Sequence, residues 1–194
     1  MDKTKLKRCK WSGEDQLMID YHDKEWGYPE HDDQKLFEFL ILEGAQAGLS
    51  WSTILDRREG YLKAFDNFDV TKVVQYSEKK IEELKENPDI IRNKLKITST
   101  VKNAKAFIII QKEFGSFDKY IWEFVNQKPK ENTIKSLNDI PALTDESIAI
   151  SKALKKRGFS FVGPTIMYAF MQACGLVNDH EISCFRYKEC QIEK

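Results

Sequence analysis

The sequence is poor in cysteine, proline and glycine: its 194 residues include four cysteines, five prolines and nine glycines. Four unevenly spaced cysteines are too few for a disulfide scaffold, so we expect a buried apolar core to hold a chain of this length together. Cys174 lies on an apolar segment and is expected in that core, whereas Cys190 lies in a charged tail and is expected to be free.

Long apolar runs and an excess of charge are also missing. No segment approaches the roughly 20 apolar residues that span a bilayer, and the charged N-terminus lacks an apolar signal segment, so we expect a cytoplasmic protein with no membrane partner. Lys+Arg and Asp+Glu are both 31, giving a net charge of zero. This balance excludes a polycation that coats nucleic acid by bulk charge, but it allows a local basic face.

Apolar residues recur at helical spacing along most of the chain, and no alternating strand pattern persists. The pattern predicts one all-α domain of roughly eight helices over residues 1–194. A polar stretch with two prolines, residues 126–141, is expected to be a surface connection. The helices predicted individually cover residues 33–47, 51–65, 77–85, 93–114, 117–125, 145–157 and 164–174.

Glu43 is an acidic residue on an apolar helix stripe, following Leu36 and Leu40. An ionised carboxylate there is costly unless a partner satisfies it, so a buried ion pair and a pocket carboxylate facing a polar or cationic ligand are both open. The residues that follow slightly favour the pocket. Gly48 breaks the helix and Leu49 lies at the tip of a short loop.

Aromatic residues cluster near this segment and near the N-terminus, at Trp11, Tyr21, Trp26 and Trp51. Such residues are usually core, but they can also stack on a flat heterocycle.

A basic helix end runs into a hairpin bracketed by Gly158 and Gly163. Free amides at the start of the next helix can bind a phosphate, and glycines allow close backbone approach. The pattern alone fits an ordinary corner between two helices at least as well. The basic residues that would attract nucleic acid are Lys155, Lys156 and Arg157.

His180 and Cys184 are four residues apart, a workable two-ligand clip for Zn²⁺, and Cys9 and His22 form a second pair near the other end. Together they would complete a closed, structural Cys₂His₂ site. Because about 160 residues separate the pairs, unrelated buried residues remain the alternative.

Taken together, several motifs resemble the constitutive bacterial DNA-3-methyladenine glycosylase I family over roughly residues 7–187. The resemblance implies a helix-hairpin-helix superfamily fold and a zinc clasp that joins the termini. It also implies base-excision repair of double-stranded DNA by hydrolysis of the bond between 3-methyladenine and deoxyribose, without strand cleavage. The motifs are Cys9, Trp11, Tyr-His-Asp-Lys-Glu-Trp-Gly at 21–27, Leu-Glu-Gly-Ala-Gln-Ala-Gly-Leu-Ser-Trp at 42–51, Lys-Lys-Arg-Gly-Phe-Ser-Phe-Val-Gly-Pro-Thr at 155–165 and Val-Asn-Asp-His at 177–180.

The resemblance also implies roles for individual residues. The base, flipped out of the duplex, would enter a pocket of Trp11, Tyr21, Glu43 and Trp51, with Glu43 as recognition carboxylate and catalytic residue. The implied ligands of one structural zinc per chain are Cys9, His22, His180 and Cys184. The residues expected to contact DNA are Gly48, Leu49, Lys155, Arg157, Gly158, Gly163 and Thr165. We expect a monomer with no obligate protein partner.

The sequence departs from the family pattern at Met18, where tyrosine is common, and in the hairpin Gly-Phe-Ser-Phe-Val-Gly. The aspartate that the wider superfamily uses beyond its hairpin is not evident, since Asp179 adjoins a zinc ligand, and the resemblance implies that none is needed. Two other functions remain open. One is a zinc-stapled module that senses damage without cutting, and the other is catalysis by zinc with Glu43 as base. Four protein ligands, which leave no open position, disfavour the second.

Overall fold

The computed structural model describes residues 6–191, and within them eleven α-helices surround one pair of two-residue strands. The expected class is therefore correct in its main feature, but the helices outnumber the predicted eight and the strands were not predicted. No helix in this part of the chain combines the length and apolar character needed to cross a membrane. The elements are α1 (Gln16–Lys24), α2 (Asp33–Gln46), α3 (Trp51–Asp56), α4 (Arg58–Ala64), α5 (Val70–Val73), α6 (Glu78–Glu86), α7 (Lys94–Phe114), α8 (Phe117–Trp122), β1 (Lys130–Glu131), α9 (Asp145–Lys156), α10 (Pro164–Ala173), β2 (Val177–Asn178) and α11 (Phe185–Glu189).

Helix boundaries with a clear cap were predicted well. The side chains of Ser77 and Thr144 each accept a hydrogen bond from a backbone amide three residues later, at the starts of α6 and α9. Gly115 ends α7 with a φ of 90°, a conformation that residues with a β-carbon rarely adopt. The helices α1, α5 and α11 were not predicted, and α5 and α11, with four and five residues, are too short for a helical period to show in the sequence.

The helix predicted over residues 51–65 is broken at Arg57, whose φ of −104° and ψ of 1° lie outside the helical region. Packing across the chain explains the break. A β-carbon at Gly60 would lie 2.3 Å from the carbonyl oxygen of Asp89, so α4 turns to bring its backbone against that loop. Arg57 itself donates to the carbonyl of Pro88 at 2.6 Å. The helix predicted over 117–125 likewise ends at Trp122 and continues as a 3₁₀ turn.

Residues 126–141 are not merely a surface connection. Lys130 pairs with Val177 in a short parallel ladder, and Ile134 forms a bridge with Glu181. Ile134 is only 3 % exposed. The burial of this one side chain fixes the segment beside the C-terminal part of the chain, and a two-residue strand is too short to produce a period in the sequence.

Helix α2 lies at the centre of the fold, in contact with α3, α7, α8 and α10. Every residue from Leu36 to Ala45 is buried, including Glu43 near the C-terminal end of the helix. Helices α9 and α10 pack against each other and are joined by the hairpin at 158–163, whose Phe161 lies against Gly44 of α2. The fold therefore brings the hairpin and the acidic residue into one region.

Candidate active site and metal centre

A cavity of about 330 Å³ opens beside the C-terminal half of α2, within the usual size range of small-molecule sites. It brings together all four side chains of the predicted pocket, which come from four successive helical elements of the chain. Met18, the position that departs from the family pattern, also lies on its wall. The lining residues are Trp11, Met18, Tyr21, Trp26, Glu43, Gln46, Trp51, Leu137, Ile140, Ala169 and Gln172.

Glu43 is 4 % exposed, and its Oε2 atom has no hydrogen-bond partner. The ion pairs found among residues 6–191 do not include it, so the interpretation as a buried ion pair does not hold for this part of the chain. Burial raises the pKa of Glu43 to about 8. At neutral pH the free protein therefore holds this carboxyl mostly protonated, although an incoming positive charge would favour the carboxylate.

The aromatic walls of the cavity also carry unpartnered polar atoms. The Nε1 atoms of Trp11 and Trp51 are buried and donate to no group. Tyr21 lies between them, with ring centroids 6.3 Å from Trp11 and 5.2 Å from Trp51. Buried polar groups are almost always hydrogen-bonded, so three unpartnered atoms in one aromatic cavity, counting Oε2 of Glu43, indicate a site for a ligand with polar edges.

Part of the cavity wall was not predicted. Ala169 and Gln172 share one face of α10. Leu137 begins a 3₁₀ turn, and Ile140 follows that turn, within the segment expected to be a surface connection. Periodicity shows that α10 has this face, but nothing local in the sequence indicates that the face meets a cavity.

Asp179 follows α10, but it does not line the cavity. Its carboxylate is 1 % exposed and accepts hydrogen bonds from Asn132 at 2.7 Å, Tyr168 at 2.6 Å and Gln172 at 2.7 Å. These three donors occupy both carboxylate oxygens. Asp179 therefore acts as a structural acceptor in this structure.

Cys9, His22, His180 and Cys184 meet in one buried cluster, with their ligand atoms all within 4.8 Å of one another. Sγ of Cys184 lies 3.4 Å from Nε2 of His22 and 3.7 Å from Nδ1 of His180, and Sγ of Cys9 lies 3.5 Å from the same Nδ1. A tetrahedral zinc with ordinary Zn–S and Zn–N bonds separates sulfur and nitrogen ligands by about 3.6 Å. The cluster therefore fits a tetrahedral metal ion.

The outer ring nitrogens of both histidines are already bound, which leaves the inner nitrogens for a metal. Nδ1 of His22 contacts Asp23 at 2.8 Å, and Arg8 holds that carboxylate through both of its oxygens. Nε2 of His180 lies 3.0 Å from the carbonyl of Trp26. Such outer partners fix the tautomer and ring orientation of metal-binding histidines. A hydrogen bond from Cys9 lowers the pKa of Cys184, which favours the metal-binding thiolate.

The loop after α2 and the hairpin expose the features expected at a DNA surface. Gly48 has a φ of 81° and leaves Leu49 40 % exposed at the loop tip. Gly158 has a φ of 94°, and no side chain caps the start of α10 after Gly163. Because Pro164 has no amide hydrogen, the amides of the next two residues, beginning with exposed Thr165, lack partners within the helix.

Arg157, predicted to contact DNA, is paired within the protein in this structure. It makes two hydrogen bonds to Glu113, at 2.6 and 2.9 Å, and its guanidinium lies 4.9 Å from the ring centroids of both Phe114 and Tyr120. It braces the end of α9 against α7 and α8. Lys155, on the same helix end, is exposed.

Comparisons with known proteins identify the family of this chain. The family model for methyladenine glycosylases matches residues 11–187. The chain is 51 % identical over 177 residues to DNA-3-methyladenine glycosylase of Haemophilus influenzae, covering 91 % of this chain and 96 % of that protein. It is 49 % identical over 182 residues to DNA-3-methyladenine glycosylase 1 of Escherichia coli, covering 94 % and 97 %.

A solved structure of a variant 3-methyladenine DNA glycosylase I in complex with 3-methyladenine is 34 % identical, with a TM-score of 0.90 over 96 % of this chain and 98 % of that one. Sequence and fold therefore agree over nearly the whole length of these proteins. The chain belongs to the methyladenine glycosylase family, whose members are hydrolases of N-glycosyl bonds.

Proposed function

We propose that this protein excises 3-methyladenine from alkylated double-stranded DNA by hydrolysing its N-glycosidic bond, the first step of base-excision repair. The names of its relatives support the substrate. The observation that carries the proposal is the unpartnered carboxyl of Glu43 in a cavity walled by Trp11, Tyr21 and Trp51. Such a cavity suits a flat, positively charged heterocycle, which stacks on electron-rich rings and pairs with a carboxylate.

Glu43 is the proposed recognition residue. 3-Methyladenine in DNA carries a formal positive charge, whereas adenine is neutral. Both bases present an exocyclic amino donor, but only the lesion also supplies charge to offset the burial of an ionised Glu43. Flipping the wrong base into the cavity therefore leaves the carboxylate without compensation, and this difference gives selectivity.

The same charge lowers the chemical demand on the enzyme. The bond to a cationic base is already weak, because the base leaves as a neutral molecule while positive charge develops on the sugar. A carboxylate at position 43 and the DNA phosphates stabilise that charge. No lysine lines the cavity within the described chain, so no amine is placed to form a Schiff base, and we propose a monofunctional enzyme that leaves the strand intact.

DNA is held from two sides in this proposal. Leu49 enters the gap left by the flipped base. The hairpin at 158–163 and the open amides after Gly163 bind the backbone, with Lys155 adding charge. From these two helices and the glycine-bracketed turn that joins them, we propose that the protein belongs to the helix-hairpin-helix superfamily, as one domain over residues 1–194 with its core at about 7–187.

We further propose that the Cys₂His₂ cluster holds one structural zinc per chain. The ion would supply four bonds joining the N-terminal segment to the C-terminal segment, and it would leave no open position for a substrate. We therefore assign catalysis to the cavity. We also propose that the protein is a monomer.

The test is chromatography of the bases released from methylated duplex DNA by the wild type, by Glu43→Gln and by Glu59→Gln, a matched change at an exposed carboxylate of α4. We expect the wild type and Glu59→Gln to release 3-methyladenine at similar rates. Loss of a charge-assisted hydrogen bond, about 1.5–3 kcal/mol, should slow Glu43→Gln by roughly 10- to 150-fold. Wild-type protein that binds methylated DNA but releases no base would show a damage-sensing module instead.

A further inference from the structure

Lys96, in the first turn of α7, is hydrogen-bonded to the C-terminal end of α2. Its ammonium group donates to the carbonyl oxygens of Ala45 and Ala47, both at 2.7 Å. Backbone amides of the same turn and loop donate to the carbonyls of Gly44 and Gln46. The four carbonyls from Gly44 to Ala47, which have no i+4 amide donor in α2, thus each accept a hydrogen bond, two of them from the side chain of Lys96.

Asn103, two turns further along α7, is hydrogen-bonded to the hairpin backbone. Its Nδ2 donates to the carbonyl of Ser160 at 3.0 Å, and its Oδ1 accepts from the amide of Ser160 at 2.9 Å. Asn103 is 2 % exposed. The paired bonds hold the hairpin next to Phe161, a residue with a φ of 57°. A buried amide with both partners satisfied fixes the backbone it binds.

The two attachments are seven residues apart and therefore lie on the same face of α7. The C-terminal end of α2 and the hairpin are also in direct contact, since a β-carbon at Gly44 would lie 3.2 Å from the β-carbon of Phe161. A single 21-residue helix thus carries both the loop with Leu49 at its tip and the hairpin.

We propose that Lys96 and Asn103 are positioning residues that set the spacing between Leu49 and the hairpin, so that Leu49 enters the duplex at a fixed distance from the backbone the hairpin holds. This inference rests on the proposed function. Errors of about 1 Å in such an arrangement cost up to about a hundredfold in rate.

The geometry argues against a direct phosphate contact for Lys96. Its ammonium group is half-buried and engaged by two carbonyl oxygens, and burial lowers its pKa. Lys105, on the same helix, is exposed and is a matched control because it carries the same charge.

The experiment compares Lys96→Met with Lys105→Met and Lys96→Arg in single-turnover excision of 3-methyladenine from a duplex. It also records affinity for the free base, thermal stability and the salt dependence of DNA binding. We expect Lys96→Met to slow excision by about tenfold or more, with free-base affinity within about twofold of wild type and an unchanged salt slope. Lys96→Arg should recover part of the rate, and Lys105→Met should keep nearly all of it.

A double-mutant cycle with Leu49→Ala separates positioning from general loosening. If Lys96 acts through Leu49, the Lys96→Met effect on excision nearly disappears in the Leu49→Ala background. Additive effects, an equal loss in Lys105→Met, or a salt slope reduced by about one would each overturn the inference. Wild-type protein that releases no base would instead refute the proposed function.

Discussion

The imidazole of His180 lies 3.0 Å from the carbonyl oxygen of Trp26, so the Cys₂His₂ cluster and the cavity share a wall. The contact is close enough that a β-carbon at Gly27 would lie 2.7 Å from Nε2 of His180. Trp26 packs edge-on against Trp11, with centroids 4.8 Å apart, and Trp11 follows Cys9 by two residues. The segments that supply the Cys₂His₂ cluster therefore also supply walls of the cavity.

The first prediction concerns the metal content and stability of the protein. Purified protein should contain about one zinc per chain, and Cys184→Ala should lose it and lower the free energy of unfolding by several kcal/mol, because metal binding is coupled to folding. Metal analysis and thermal unfolding, with and without a chelator, measure both effects. Cys190→Ala removes another buried thiol and should keep the metal. A Cys184→Ala protein with full stability would contradict the zinc clasp.

The second prediction concerns the pH dependence of excision. The pKa of Glu43 is raised to about 8 in the free protein, and the cationic lesion needs the carboxylate form. The value of kcat/KM, which reports the free enzyme, should therefore rise with pH, reach half its maximum at about pH 8 and level off about one pH unit higher. The profile of Glu43→Gln should lack this rise. A wild-type profile that is flat over the same range would show that Glu43 is already ionised.

The third prediction is that Glu43 costs stability. Below pH 4.5 the carboxyl is protonated in both folded and unfolded chains, whereas between pH 4.5 and about 8 the unfolded chain binds fewer protons than the folded one. Stability is thus present at low pH and is lost as pH rises toward 8. Glu43→Gln should stabilise the protein by roughly 2–4 kcal/mol near pH 7.5 and by almost nothing near pH 4.5. Denaturant unfolding at the two pH values measures the difference.

How far the sequence predicts the site depends on whether the signal is local. Glu43 was identifiable because a charged residue on an apolar helix stripe is anomalous. The loop with Leu49 at its tip was identifiable because Gly48 ends one helix and Ser50 can cap the next. Gln172 was not identifiable, since its place in the cavity depends on how α10 packs. A local run of basic residues predicts Arg157 as a DNA contact, and its ion pair with Glu113 could not be predicted because Glu113 lies 44 residues away in the sequence.

Arg157 and Lys155 should therefore respond differently to loss of charge. Lys155→Met should weaken binding to any duplex and reduce the slope of log affinity against log salt by about one, as loss of one phosphate contact does. Arg157→Met should lower the melting temperature, because it frees Glu113 and uncovers two aromatic rings, and should leave that slope nearly unchanged. DNA titrations at several salt concentrations, with thermal melts, decide the matter. A reduced slope for Arg157→Met would mean that its bonds to Glu113 open when DNA binds.

Gly163 provides the sharpest test of the hairpin. Its φ of −62° and ψ of 158° suit any residue, and a β-carbon there would meet nothing within 4 Å. Folding therefore does not require glycine at this position, and Gly163→Ala should leave stability unchanged or raise it by about 0.4–1 kcal/mol. If the open space is filled by DNA backbone, Gly163→Ala and more strongly Gly163→Val should weaken binding to damaged and undamaged duplexes alike, because backbone contacts carry no base information.

Gly158→Ala is the contrasting variant, since the φ of 94° at Gly158 predicts a loss of stability instead. Loss of affinity for lesion-bearing DNA alone would assign Gly163 to the cavity, and no loss for either duplex would remove the hairpin from the DNA interface.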